Sequence, residues 1–337
     1  MTGRERVRAA IKFERPDRIP RDIWPLPYVT LFQKAELDLL KAKYPMDIGA
    51  SQASPGWGDA VVEATSTAGS YTDDWGSVWQ VGEPGVVGEV KKPALEDWAD
   101  LAHFRAPWHL IENRNKDFVD ASCEASDLFM LSDIVARPFE RLQFLRGSQN
   151  LFYDLGEDRQ EMHDLLALIH EYYLADIEWW CDTKVDGIFF MDDWGTNSSL
   201  LIDPRTWRKI FKPLYKEYCD IIHAAGKFTF FHSDGNTEAI IGDLVEIGID
   251  VLNTQLFCMD IEELGRRYRG KITFWGEIDR QHILPFGTEE DVTRAVSRLK
   301  SAFGGKDGGV IAQCEWGKMN PSRNIEAVYR AWSQNKG

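Results

Sequence analysis

Several things are scarce in this chain. Five cysteines in 337 residues, none in a CxxC pair, exclude a disulfide framework and fit free thiols in a reducing compartment. No apolar run approaches the roughly 18 residues that a membrane span needs. Positive charge is in deficit: 39 Lys and Arg stand against 54 Asp and Glu, a net charge of −15. That balance disfavours nucleic acid or an anionic membrane as a partner. Rossmann, Walker and GxSxG signatures are missing. No Pro/Gly/Ser linker divides the chain, so residues 1–337 read as one domain.

The first 21 residues run against the overall charge, with Arg4, Arg6, Arg8, Lys12, Arg15, Arg18 and Arg21. They lack the apolar core of a secretory signal, and Glu5, Glu14 and Asp17 argue against a transit peptide. A cytoplasmic location is the expectation. Apolar content of 44% is ample for a core, and thirteen tryptophans are available to fill it.

The second half alternates regularly. Strand-like runs at 186–195, 227–232, 250–255, 271–279 and 308–315 are separated by helical patterns at 204–225, 237–248, 260–268 and 288–304. Pro213 predicts a kink or a break in the first of these helices, and Asp203, Asp260 and Thr288 are its and its successors' caps. Segments 18–24, 46–51 and 127–134 read as three earlier strands, making eight. The fold class is therefore α/β, a single (β/α)8 TIM barrel, with a doubly wound open sheet as the competing architecture. Residues 71–92 read as a β-hairpin insertion.

Ionisable and polar groups gather at the C-terminal strand ends: Asp133, then Asp192 and Asp193, His232 and Asp234, Asn253 and Gln255, Glu277 and Asp279, Cys314 and Glu315. The opposite ends carry ordinary turn residues. In barrel enzymes the C-terminal rim holds the site, although an acid after a strand is equally a helix cap. His232 and Cys314 are not caps. With Asp234 or Glu277 they offer a thiolate, an imidazole and a carboxylate, a zinc-type donor set. The competing reading is a buried structural thiol and a hydrogen-bonded histidine. Asp133, Asp192, Asp193 and Glu277 are candidate catalytic groups. Trp24, Trp194, Trp275, Asn253 and Gln255 are candidate substrate contacts, since aromatic walls suit a flat or apolar ligand.

The segments "GRERVRAAIKFERPDRIPRDIW", "MDDWGTNSSLLIDPRTWRKIFKPLYKEYCDIIHAAGKFTFFHSDGNTEAIIGDLVEIGIDVLN" and "GEIDRQHILPFGTEEDVTRAVSRL" resemble the uroporphyrinogen decarboxylase superfamily. The resemblance covers nearly all of the chain outside 52–120 and implies one (β/α)8 barrel. True uroporphyrinogen decarboxylases use no metal and carry an arginine-rich "RQAGR"-like motif, which is not found after Arg21. The corrinoid-linked methyltransferases of the superfamily hold zinc through a His-x-Cys pair and a later Cys. Here these positions read His232-Ser233-Asp234 and Cys314, so one thiolate is replaced by a carboxylate. This departure points away from thiol methylation and towards a metal that polarises oxygen or nitrogen. The resemblance implies a zinc-dependent methyltransferase that moves a methyl group from a small methylated O- or N-donor to a corrinoid on a separate protein. The alternatives are a cofactor-free decarboxylase and a non-catalytic ligand-binding barrel.

Overall fold

The computed structural model describes residues 1–53 and 67–334. Seven parallel strands form one curled sheet: β2 (Ile48–Ala50), β6 (Phe129–Ile134), β7 (Gly187–Met191), β8 (Phe228–Ser233), β9 (Val251–Thr254), β10 (Thr273–Trp275) and β11 (Val310–Ile311), hydrogen-bonded in that order. A first short strand, β1 (Trp24–Pro25), pairs in parallel with a last one, β12 (Glu315–Trp316). The chain around β1 links the two edges of the sheet. Asp22 N–H donates to Ala312 (2.9 Å) and Trp24 N–H to Cys314 (3.2 Å) on one side, and Asp47 N–H donates to the Arg21 carbonyl (2.8 Å) on the other. The architecture is TIM-barrel-like. The eighth position is filled by a segment only briefly in strand conformation, whereas the sequence led us to expect a full strand over 18–24.

The helical patterns fold for the reasons their caps and breaks give. The 204–225 pattern splits into Pro204–Ile210 and Lys212–Ala224, because Pro213 has no N–H to continue the first helix and suits the first turn of the second. Asp203, Asp260 and Thr288 each accept a first-turn backbone N–H. The excursion expected as a hairpin at 71–92 is a three-stranded antiparallel meander: β3 (Gly69–Thr72), β4 (Val78–Val81) and β5 (Glu89–Lys92).

Side chains on the barrel strands alternate between two cores. Phe129, Leu131, Phe189, Phe230, Val251, Trp275 and Ile311 form the inner cluster. Met130, Ile188, Phe190, Phe231, Leu252, Phe274 and Val310 pack outward against the helices. The helix Gly3–Ile11 closes the N-terminal end of the barrel, placing Val7 and Ile11 in the inner cluster. Its arginines explain the basic opening of the sequence. Arg4 and Arg8 pair with Asp186 at the foot of β7, and Arg6 pairs with Asp47 before β2.

Asp22 is buried just before β1. Its Oδ2 accepts the indole N–H of both Trp24 (3.1 Å) and Trp275 (3.0 Å). Burial pushes its carboxyl up to about 7, against the partial relief of those donors and the Ile23 N–H. The unfolded chain ionises this group near 3.9. Between about pH 4 and pH 7 the unfolded state therefore releases a proton that the native state keeps, and stability falls as pH rises. The full loss is on the order of 3–4 kcal/mol. In denaturant titrations the wild type should lose stability from pH 4.5 to pH 7.5 more steeply than Asp22→Asn, and equal slopes would contradict the assignment.

Candidate metal centre

Strand alternation decides which rim residues can meet. Continuing the inward parity of Phe230 along β8 brings His232 and then Asp234 to the lumen. Val251 leads to Asn253, Phe189 to Met191 and Asp193, and Ile311 to Gln313 and Glu315. Three of these converge. His232 Nε2 lies 3.4 Å from Asp193 Oδ1 and 3.4 Å from Asp234 Oδ1. Single donor atoms of the three residues all fall within 4.8 Å of one another.

A backbone crossing holds the two aspartates together. Asp193 and Asp234 sit on the loops after β7 and β8, and each is followed closely by a glycine, Gly195 and Gly235. Gly195 N–H donates to the Asp234 carbonyl (3.0 Å), and Asn236 N–H donates to the Thr196 carbonyl (2.7 Å). Asp234 N–H also donates to Asp193 Oδ1 (2.9 Å). Gly235 has φ +78°, and a Cβ there would run into the Gly195 carbonyl group. The loops can approach this closely only because neither residue carries a side chain.

The imidazole is oriented from behind. His232 Nδ1 lies 2.5 Å from Asn253 Oδ1. The Asn253 amide nitrogen donates to the Trp275 carbonyl and, at 3.3 Å, to Gln313 Oε1. A carbonyl only accepts, so the Asn253 oxygen must face the histidine and Nδ1 must carry the proton. Nε2 is thereby presented to the two carboxylates. Without a metal, burial opposes the imidazolium, but the hydrogen bonds and charges of Asp193 and Asp234 outweigh it and hold His232 well above its ordinary pKa. Nε2 is the imidazole atom that would ligate a metal here, in its unprotonated form. The fit is good: bonds of about 2.0–2.2 Å in a tetrahedron place donor atoms roughly 3.4 Å apart. Asp234 Oδ1 is buried with the imidazole Nε2 3.4 Å away and no well-aligned hydrogen bond, an arrangement open to a shared ligand. Zinc fits this set, though two carboxylates and one imidazole are harder than a thiolate site.

A second group adjoins the trio. Arg280 donates to Asp234 Oδ2 and to Glu315 Oε2 (2.6 Å), and lies 3.8 Å from Glu277 Oε1. Burial opposes ionisation of Asp234, but His232 and Arg280 carry its carboxyl down to about 2. Glu277 behaves oppositely. Only 2% exposed, it is pushed by burial up to about 8; Arg280 opposes the shift, while Glu315 and Asp234 add to it. Its Oε1 has no hydrogen-bond partner. The two neighbouring carboxyls are thus driven apart, Glu277 upward and Asp234 downward, the divergence that marks acid–base sites. A cavity of about 260 Å³ opens here, lined by Asn197, Gln255, Glu277, Asp279, Arg280 and His282 among others.

The remaining expected residues sort by parity. Cys314 has the outward parity of Ala312. Its thiol lies 3.7 Å from the Tyr329 hydroxyl on the C-terminal helix, and burial pushes it up to about 12. It is not a member of the three-residue group, where Asp193 stands instead. Asp192 also faces outward and is fully buried. Its carboxylate accepts the N–H groups of Phe139 (2.9 Å) and Glu140 (2.8 Å) at the start of helix Pro138–Arg146, and the Tyr215 hydroxyl. Trp194 stacks on Phe139 at 4.1 Å, within the outer core. Asp133 lies where the pairing of β6 with β7 shifts register between Leu131 and Ile134, so parity does not assign its direction; it accepts the Ala53 N–H (3.2 Å), and burial lifts its carboxyl to about 6. Gln255 accepts the Gly235 N–H (3.1 Å). Trp24 packs on the imidazole with ring centres 5.1 Å apart, and on Trp275 at 4.8 Å.

Three residues were not singled out from the sequence. Arg280 follows Glu277 by three positions, and Gln313 precedes Cys314. Glu140 is half-buried, its Oε2 without a hydrogen bond but 3.9 Å from Arg137, and burial lifts it to about 7 despite Arg137. Inward parity would have found Gln313. Arg280 and Glu140 lie on loop and helix, where no strand period applies.

The sequence profile described as uroporphyrinogen decarboxylase (URO-D) matches residues 134–332, more than half of the chain. A methyltransferase from Methanosarcina mazei has a similar structure, with TM-score 0.70 and 16% identity over 98% of each chain. A B12-independent methionine synthase from Shewanella sp. W3-18-1 matches with TM-score 0.49 and 12% identity, over 89% of this chain and 84% of that one. An endo-β-1,4-xylanase from Gloeophyllum trabeum matches with TM-score 0.48 and 11% identity, over 98% and 99%. No curated protein sequence matches significantly.

The loop crossing generates a test. Gly235→Ala combines an unfavourable positive φ with a backbone clash and should cost about 1–3 kcal/mol. Gly195→Ala relieves nothing and should not add fully to it, since both strain the same contact. A double-mutant cycle in urea measures this; full additivity would show that the crossing does not couple the loops.

Proposed function

Because the chain belongs to the uroporphyrinogen decarboxylase family, we propose that it is a metal-dependent methyltransferase of that family, with Asp193, His232 and Asp234 as the protein ligands. The observation that carries this reading is the convergence of one imidazole and two carboxylates at the C-terminal rim. Cys314 is outside that set, so the ligands differ from the His-Cys-Cys arrangement that the resemblance implied.

Zinc in this position supplies Lewis acidity toward the heteroatom that gives up its methyl group. The chain's own residues do the rest. Asn253 fixes the imidazole so that Nε2 alone faces the ligand position. Arg280 holds Asp234 ionised and in place through Oδ2, leaving Oδ1 free. Glu277, whose carboxyl burial pushes upward, borders the cavity and is placed to give a proton to an alkoxide or amide leaving group once the methyl has gone. Trp24 and Trp275 pack against each other beneath the site, with Trp24 also against the imidazole. The substrate is a small O- or N-methylated molecule, and the acceptor is a corrinoid carried by a separate protein.

Metal analysis and turnover test the reading together. Protein supplied with zinc and desalted should retain about one ion per chain, and His232→Ala should lower zinc affinity at least tenfold. Cys314→Ala should retain the ion. Methyl transfer from a panel of methyl ethers and methylamines to reduced cobalamin, read by its visible spectrum, should appear in the zinc-loaded protein and fall at least a hundredfold in His232→Ala. Protein that never retains the metal sinks the ligand assignment. Retention with no methyl transfer across the panel, but with decarboxylation of a carboxylic acid, would favour the decarboxylase.

A further inference from the structure

The N-terminal end of the barrel, opposite the metal centre, carries a second feature. A cavity of about 680 Å³ lies between the segment before β1, the turns before β10 and β11, and the end of the helix Ser322–Ser333. Five cations line it: Arg18, Arg21, Arg269, Lys300 and Lys306. In a protein of net charge −15, such a concentration needs an explanation.

The acids nearby do not neutralise it. Asp17 is matched by Arg6 (2.5 Å) and the N-terminal amine (3.3 Å), and Asp307 by Arg15 (3.0 Å). Asp47, behind the cavity wall, is matched by Arg6 (2.5 Å) and Arg18 (2.6 Å). Lys300 donates to the carbonyls of Ala331, Trp332 and Gln334, and Arg21 donates to the Ser333 hydroxyl (2.9 Å). Neither meets a carboxylate. Among the described residues, the side chains of Arg269 and Lys306 have no hydrogen bond or ion pair at all. Trp332, which lines the cavity and is 5% exposed, has an indole N–H with no acceptor. The electrostatics agree. Burial, then repulsion from Arg18, lowers the pKa of Arg21, and burial, then repulsion from Lys306, lowers that of Lys300. Cations that destabilise one another around an open volume are a site short of an anion.

The volume exceeds what a single inorganic anion fills and lies in the range of small-molecule sites. Gly304 and Gly305, with φ +86° and +130°, form part of its wall, and the missing side chains leave room for Arg269 and Ile19 to pack against them. We propose that this cavity binds a small molecule bearing a diphosphate or an equivalent pair of phosphate groups, with Arg21, Arg269 and Lys306 as the principal contacts. Arginine supplies paired donors for phosphate oxygens, and Lys306 adds a mobile point charge. The site is separate from the metal centre: segments 16–21 and 300–307 and Arg269 all precede strands, and the end of the helix Ser322–Ser333 completes the wall.

Calorimetric titration of the full chain with inorganic pyrophosphate, at low salt and with EDTA present, tests this. The expected result is saturable one-to-one binding that weakens as salt is raised. Arg269→Gln with Lys306→Gln should weaken it at least tenfold. Both side chains are exposed, so the melting temperature should hold, and Lys306→Gln alone, expected to weaken binding about threefold, guards against misfolding of the double variant. His232→Ala should bind as the wild type does, which separates this result from any failure of the metal centre. Absence of saturable binding, binding unchanged in the double variant, or binding abolished by His232→Ala would each overturn the proposal.

Discussion

A side chain on a barrel strand has only two destinations, the lumen or the helices, and that alternation governs what this rim can assemble. His232 and Asp234 are two residues apart and share the lumen. Asp192 and Asp193 are neighbours and part company: Asp193 turns inward to the imidazole, while Asp192 turns outward to anchor the helix that begins at Pro138. The same rule sends Gln313 toward Asn253 and Cys314 toward Tyr329. Chemistry at the rim is thus a property of strand register as much as of residue type.

The charge arrangement is costly for stability, which is itself informative. Asp234, Glu277 and Glu315 surround one guanidinium, and Glu277 is nearly inaccessible to water. One cation cannot neutralise three carboxylates, so the least solvated of them keeps its proton. A fold under pressure only for stability would place apolar side chains here. Retained ionisable groups in a cavity, with pKa values driven apart, indicate selection for reactivity. The orientation of His232 through Asn253 belongs to the same logic, since a ligand is useful only when its lone pair has one direction.

Much of the architecture was legible in the sequence because its signals are local. The strands at 187–191, 228–233 and 251–254 follow from short apolar runs bounded by glycine, and the caps at Asp203, Asp260 and Thr288 from their place before helical patterns. The candidate site was only partly legible. A polar residue near a strand end was visible, but not its direction: Cys314 was read as a metal ligand and Asp193 as a catalytic acid, whereas Asp193 lies beside His232 and Cys314 beside Tyr329. Arg280 and Glu140 reach the site from a loop and a helix, through contacts that no sequence period encodes. The eighth strand was overestimated because Ile19, Ile23 and Trp24 give an apolar run, while the backbone there makes few ladder hydrogen bonds.

The pairing of β1 with β12 also bears on how the chain acquires its shape. The segment that hydrogen-bonds to Ala312 and Cys314 is residues 22–24, so nearly the whole polypeptide lies between the two partners. During synthesis the earliest strand leaves the ribosome with its neighbour on one side still untranslated. Its apolar surface, including Ile23, waits through most of translation for cover. Asp22, beside it, gives up water for the two indole donors only when this seam closes.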